Sequence, residues 1–172
     1  MPSEFVRIGT HGHDWGNLSQ DWRQQTENLN EQFVEEDQLR SEIFKPLVDR
    51  NDSRAGIFAI YENGTYHAVC QLNAAPLPGY TAPVMRMRHL TFSPHIDLSD
   101  EPIDTYVTAL VNTFFEVVSL CKAEGSMKAQ FLNFHLPSPS DRHLFTVAGN
   151  RFLAHNLFKS VEPKGAWLYI KF

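Results

Sequence analysis

The side chains of this 172-residue chain best able to move protons or hold anions near neutral pH are its histidines and arginines. His89 lies near the end of a β-rich run, Val84 to Phe92, and His135 directly follows another, Lys128 to Phe134. A neutral imidazole at either place can take a proton from an amine, which makes both candidate catalytic bases. Each also reads as a strand histidine satisfied by a neighbour or capping a strand end. Arg86 and Arg88 alternate on one face of the first run. Two cations there can hold an acidic acceptor or a phosphate, or simply mark a solvated strand face. Arg142 and His143 open a helix whose N-terminus favours an anion, although a plain surface turn fits them equally well.

Other patterns point away from familiar chemistry. His11-Gly12-His13-Asp14 comes near a His-x-His-x-Asp two-metal arrangement, but Asp14 follows His13 directly and no later histidine spacing completes a site. A polar loop after the first strand is expected there, and no metal. Cys70 and Cys121 stand far apart, each inside an apolar segment, and read as buried free thiols in a reducing cytosol. The sequence contains no Gly-x-Ser-x-Gly elbow, phosphate-binding P-loop or dinucleotide fingerprint.

Bulk properties narrow the classes further. Hydrophobic residues at 42% and charged residues at 20% describe an ordinary globular domain, and thirteen phenylalanines supply a well-filled core. The length suits one domain over residues 1–172. A net charge of −5 removes the electrostatic gain that nucleic acid binding requires. No apolar run reaches the ~20 residues of a membrane span, and Met1-Pro2-Ser3-Glu4 lacks the charged-then-apolar pattern of a signal peptide. The expectation is a cytoplasmic protein with neither nucleic acid nor membrane as partner.

The elements that must position these residues follow from periodicity. Phe5 to Ile8 can start a sheet. Leu18, Trp22, Leu29 and Phe33 predict a helix over about 16 to 33, and Leu39, Ile43, Phe44, Leu47 and Val48 a second, with Pro46 near its end. Gly56 to Tyr61 and Tyr66 to Leu72 flank Asn63-Gly64, the dipeptide that tolerates the two positive φ angles of a type I′ hairpin. Val84 to Phe92 continues the meander. Ile103, Tyr106, Val107, Leu110, Val111, Phe114, Val117, Val118 and Cys121 form one long helical face, ended by Glu124-Gly125. Lys128 to Phe134 is a strand, Asp141 to about Asn156 a helix capped by Ser140 or Asp141, and Phe158 to Val161 and Ala166 to Phe172 closing strands around Pro163-Lys164-Gly165. The predicted order is β-α-α-β-β-β-α-β-α-β-β, an α+β chain with a mixed sheet.

This order resembles the GNAT (Gcn5-related N-acetyltransferase) superfamily over essentially the whole chain. Leu90-Thr91-Phe92-Ser93-Pro94 is similar to the end of that family's fourth strand, and Leu157-Phe158 with Trp167 to Phe172 is similar to its C-terminal segment. The resemblance implies an acyltransferase with an acyl-CoA or phosphopantetheine-linked donor. It also implies backbone N–H groups around Leu90, Thr91 and Phe92 as the donor's contacts. The family's Gln/Arg-x-x-Gly-x-Gly/Ala loop, which turns N–H groups toward a pyrophosphate, is replaced by His95 to Asp104, a stretch without glycine and with Asp97, Asp100, Glu101 and Asp104. The Asn, Ala and Tyr of the family's last helix correspond to Thr146, Gly149 and Leu153, so the usual acid is missing. Autoinducer synthases share the fold without the glycine loop, but their Glu-x-Ser-Arg pattern falls on Arg86-Met87-Arg88-His89 and does not match.

Two functions are thus expected. One is acyl transfer from acyl-CoA or acyl-carrier protein to an amine. An acyl-carrier donor presents a phosphopantetheine arm without the adenosine diphosphate part and so relaxes the need for a glycine loop. The other is a non-catalytic module of the same shape that binds a small molecule or protein. Oligomeric state stays open between a monomer and a homodimer, the latter because the resemblance implies a fold whose exposed strand ends commonly pair.

Overall fold

The computed structural model describes residues 3–10, 12–31, 36–98, 102–136, 138–154 and 156–172, with the backbone alone over 36–41 and 150–154. Of the residues singled out above, Met1, Pro2, His11, Phe33, Asp100 and Glu101 lie outside that set, as do the side chains of Leu39 and Leu153.

The hairpin at Asn63-Gly64 organises the first half of the sheet. Strands β2 (Ala55–Glu62) and β3 (Thr65–Ala75) flank it, with φ of 52° at Asn63 and 89° at Gly64, the left-handed pair expected of a type I′ turn. β1 (Glu4–Arg7) adds antiparallel to β2, and β4 (Val84–Phe92) adds antiparallel to β3. β5 (Phe131–His135) then lies parallel to β4, and β7 (Trp167–Lys171) and β6 (Ser160–Lys164) complete the order β1-β2-β3-β4-β5-β7-β6. The predicted element order holds, with one addition: a single-turn helix α3 (Pro94–Leu98) directly after β4.

Helices α1 (Trp15–Asn28) and α2 (Glu36–Asp49) pack on β2 and β3. α1 starts on Asp14, whose carboxylate accepts from Asn17 N at 2.8 Å, and ends before Asn30 at φ 57°. It therefore stops short of the predicted residue 33. α2 runs through Pro46 to Asp49; the proline is exposed and does not break it. The small core on this side joins Ile8, Leu18, Trp22, Phe44, Ile57, Ala59, Tyr66 and Val69.

The opposite face is sealed by α4 (Ile103–Lys122) and α5 (Pro139–Ala154). By length and composition alone α4 could cross a membrane, and at 20 residues it exceeds what the apolar runs suggested. It buries Leu110, Phe114, Val117, Val118 and Cys121 against the sheet, while Ile103 is 77% exposed rather than on the apolar face. Phe114 sits 5.0–6.1 Å, ring to ring, from Phe134, Phe145 and Phe158.

Two boundaries differ from expectation for local reasons. β5 begins at Phe131 rather than Lys128, because Lys128 N and Ala129 N bond back to Gly125 O and Cys121 O at the end of α4. β6 begins at Ser160 because Phe158 turns into the core, and it continues through Pro163, which an edge strand tolerates.

Candidate functional site

β4 is where the sheet changes character. Its parallel pairing with β5 spans four residues, Val84↔Phe131 to Met87↔Phe134, and then stops. β4 continues to Phe92 while β5 ends at His135, so the strands part. The first turns of α4 reach the end of β4, where Tyr106 packs on Phe92, and α5 begins shortly after β5 ends. Crevices of this kind, beyond the carboxyl ends of parallel strands, are the usual ligand sites of sheets with helical crossovers.

The register also breaks on the β3 side. Val69 pairs with Thr91 and Gln71 with Arg88, leaving His89 and Leu90 outside both ladders. His89 has φ 50°, a costly conformation for a residue with a side chain, and it marks a β-bulge. The bulge turns consecutive side chains to the same face: Arg88 lies over the Trp167 ring at 5.4 Å, and His89 meets Phe44 of the α1/α2 core at 6.4 Å. From Arg88 to Phe92 the β5-side edge of β4 has no registered partner. That stretch contains Leu90, Thr91 and Phe92, the backbone groups expected to contact a donor.

His135 stands one step past the last β4–β5 pair. Its ring packs on Trp167 at 4.6 Å, so Arg88 and His135 share one tryptophan across the gap. Burial first, then the neighbouring side chains of His89, Arg88 and Arg142, lower its imidazole below the ordinary value of 6.5, which leaves it neutral at pH 7. The structure thus gathers four of the predicted residues, Arg88, His89, His135 and Arg142, around one crevice.

Arg86 lies one step back along β4, in the row Asn73–Arg86–Asn133–Tyr169. Its Nη2 donates to Asn73 Oδ1 at 2.8 Å. The face it occupies is covered over β2 and β3 by α1 and α2 and lined farther on by Phe131, Asn133 and Tyr169, where Tyr80 packs on Phe131 at 4.9 Å.

Sequence reasoning missed a bridge on the other side of the gap. Tyr106, in the first turns of α4, donates to Asp141 Oδ2 of α5 at 2.9 Å and packs on Phe92 at 4.7 Å. Burial chiefly, and the Asp141 carboxylate after it, raises the phenol far above its ordinary range. Burial also raises the Asp141 carboxyl, against the lowering effect of its tyrosine partner. Tyr106 was legible only as one member of an apolar helical face; its hydroxyl gave no periodic signal.

Elsewhere the predicted motifs take structural roles. Asp14 caps α1, and His13 Nδ1 lies 3.0 Å from Tyr66 Oη. Cys70 and Cys121 are buried free thiols, and burial pushes Cys121 up to about 12 and Cys70 higher still, so neither is a ready nucleophile. Thr146 bonds its own helix at Arg142 O, and Gly149 lets α5 approach Val161 of β6. The segment in place of the glycine loop contains α3, with Asp97, and then opens α4 with Asp104.

No known family profile matches this sequence, and no curated protein does. Among solved structures, the chain is similar to a GNAT family acetyltransferase from Brucella melitensis in complex with acetyl-CoA. That match has 9% identity, covers 99% of this chain and 88% of the other, and has a TM-score of 0.48. It is also similar to the N-acetyltransferase PseH of Campylobacter jejuni in complex with acetyl coenzyme A, at 10% identity over 99% and 98% of the two chains, with a TM-score of 0.49. The strand order, the single parallel step at β4–β5 and the bulged, splayed end of β4 together give this chain a seven-stranded mixed sheet with helices on both faces, the α+β architecture that its sequence led us to expect.

Proposed function

We propose that the protein transfers an acyl group from a phosphopantetheine thioester to an amine. The observation that carries this reading is the splayed end of β4, where an unregistered strand edge lies beside His135, one step past the last β4–β5 pair. A pantetheine arm carries amides that can bond such an edge as an added strand would. His135 then takes the proton as the amine nitrogen forms its bond to the carbonyl carbon, and as imidazolium it returns a proton to the thiolate when the C–S bond breaks. N–H groups of the bulge are the local donors able to stabilise the oxyanion that forms between these steps.

The fit is uneven along a CoA molecule. The arm has an edge to bind, but the α3–α4 segment offers Asp97 and Asp104 where a diphosphate needs N–H groups and positive charge. Arg142 is the nearby cation. This favours a donor whose arm ends in one phosphate, as on an acyl-carrier protein, over free acyl-CoA.

Calorimetry with acetyl-CoA, a longer acyl-CoA and phosphopantetheine is the test. Binding of the arm with weaker or absent binding of CoA supports a carrier-borne donor, and equal micromolar binding of both supports CoA itself. No binding of any of the three would falsify acyl transfer. It would favour the second reading, a non-catalytic binding module, which the Tyr106–Asp141 bridge across the two helix N-termini supports.

A further inference from the structure

We infer that the pocket between the end of α2 and strands β3 and β4 binds a compact oxyanion, a carboxylate or phosphate head group that the acceptor amine carries. The cavity is about 230 Å³, room for a head group and a few further atoms rather than an extended ligand. Three arginines line it, Arg50, Arg86 and Arg88, together with the amide side chains of Gln71 and Asn73.

The charges of this pocket are not internally balanced. Its one acidic side chain, Asp52, turns Oδ1 to Arg54 N at 2.8 Å, holding the turn after α2. Among the described residues neither Arg50 nor Arg88 forms an ion pair, and Arg88 is held by the ring of Trp167. Arg86 donates to Asn73, yet its Nε is buried without a hydrogen-bond partner among the described residues. A buried guanidinium N–H left unmatched loses its hydrogen bond to water without replacement, and native interiors rarely leave one so. An oxyanion supplies the missing acceptor, and the planar fork of arginine suits carboxylate and phosphate alike.

Position ties the pocket to the crevice. Arg86 and Arg88 occupy alternate positions of one strand face, and Arg88 both lines the pocket and faces His135 across Trp167. An acceptor anchored here by its anion would present its amine toward the proposed base. The word acceptor rests on the acyl-transfer reading; the oxyanion site stands on the pocket alone.

The test is NMR of the arginine Nε–Hε signals of the ¹⁵N-labelled full chain, with no acyl donor present. Succinate, inorganic phosphate and ethanolamine are titrated separately, and the Arg86 signal is assigned by its loss in Arg86→Lys. The expected result is a saturable shift of that signal with succinate or phosphate by about 10 mM, none with ethanolamine, and binding weakened tenfold or more in Arg88→Gln. Tighter binding of succinate identifies a carboxylate, and tighter binding of phosphate a phosphoryl group. Should Arg86→Lys not fold, Arg50→Gln and Arg88→Gln, both at exposed positions, carry the same comparison. An unmoved Arg86 signal in both anions, or equal affinity in Arg88→Gln, overturns the inference. Either failure leaves donor binding untouched, and a failure of donor binding leaves this site standing.

Discussion

The two faces of β4 are built from alternate residues of one nine-residue strand, yet they follow opposite physical rules. Met85 and Met87 have no solvent exposure and join Leu132, Phe134 and the aromatic rings under α4 and α5. Arg86, Arg88 and His89 face the other way, where α1 and α2 pack mainly on β2 and β3 and leave a polar hollow beyond. The first face is closed and apolar, so its contribution is stability. The second keeps Arg88 exposed and leaves the buried Nε of Arg86 unmatched, which costs stability at that one atom and leaves both arginines available to a ligand. A strand's two-residue period allows both to coexist, and the bulge at His89 adds a second consecutive side chain to the reactive face.

If the faces are separable in this way, substitutions should sort cleanly. The largest effect is expected from Phe114→Ala, in the middle of the sealed face, with a loss of about 3–5 kcal/mol in urea unfolding. A loss below 1 kcal/mol would mean that this core is not what holds the fold together.

On the open face, His135→Gln should lower kcat/KM by about 10²-fold while moving the unfolding free energy at pH 7 by less than about 0.5 kcal/mol. The pH dependence sharpens this prediction. Because the folded imidazole titrates below its ordinary value, the neutral base persists on acidification, and the acid limb of the wild-type rate should lie below pH 6.5. The same depression makes His135 contribute stability above its unfolded pKa that is lost as pH falls through the folded one. The wild type should therefore lose ground to His135→Gln below about pH 6.5. An acid limb above 6.5 would remove His135 as the base.

A smaller loss, about 1–2 kcal/mol, is expected from Gly149→Ala. A Cβ there would meet Val161 Cγ1 at 2.9 Å, and that clash should outweigh the helix-propensity gain of alanine. Val161→Ala should restore most of the loss when combined with it. If Gly149→Ala alone is neutral, the α5–β6 contact is looser than the sealed face requires.

The smallest effect is expected at the bridge. Asp141 is buried and its carboxyl is raised, so its ionised form is disfavoured in the fold. A raised acid contributes stability at low pH that is lost as pH rises through its folded pKa. Asp141→Asn, which keeps an acceptor for Tyr106, should match or exceed the wild type by under about 1 kcal/mol at pH 7, with the difference shrinking toward pH 4. A variant less stable at pH 7 by more than that would show that the charge itself holds the two helix N-termini together.

Apart from the single-turn α3, the elements and their order were legible in the sequence alone. Local signals sufficed: Asn63-Gly64 for the hairpin, the apolar stripe from Leu110 to Cys121 for α4, and the β-rich run from Val84 to Phe92 for β4. It also marked Arg86, Arg88, His89, His135 and Arg142 as residues worth watching, because cations and imidazoles among apolar strands are unusual. What it could not supply was their assembly. The bulge depends on how β3 and β4 register, and the gap depends on where β5 ends beside β4. Trp167 joins Arg88 to His135 from 32 residues farther along, and Asp141 meets Tyr106 across 35. Contacts at such separations have no periodic signature in the chain. Only the assembled sheet, pairing β5 with both β4 and β7, decides which of the marked residues share a site.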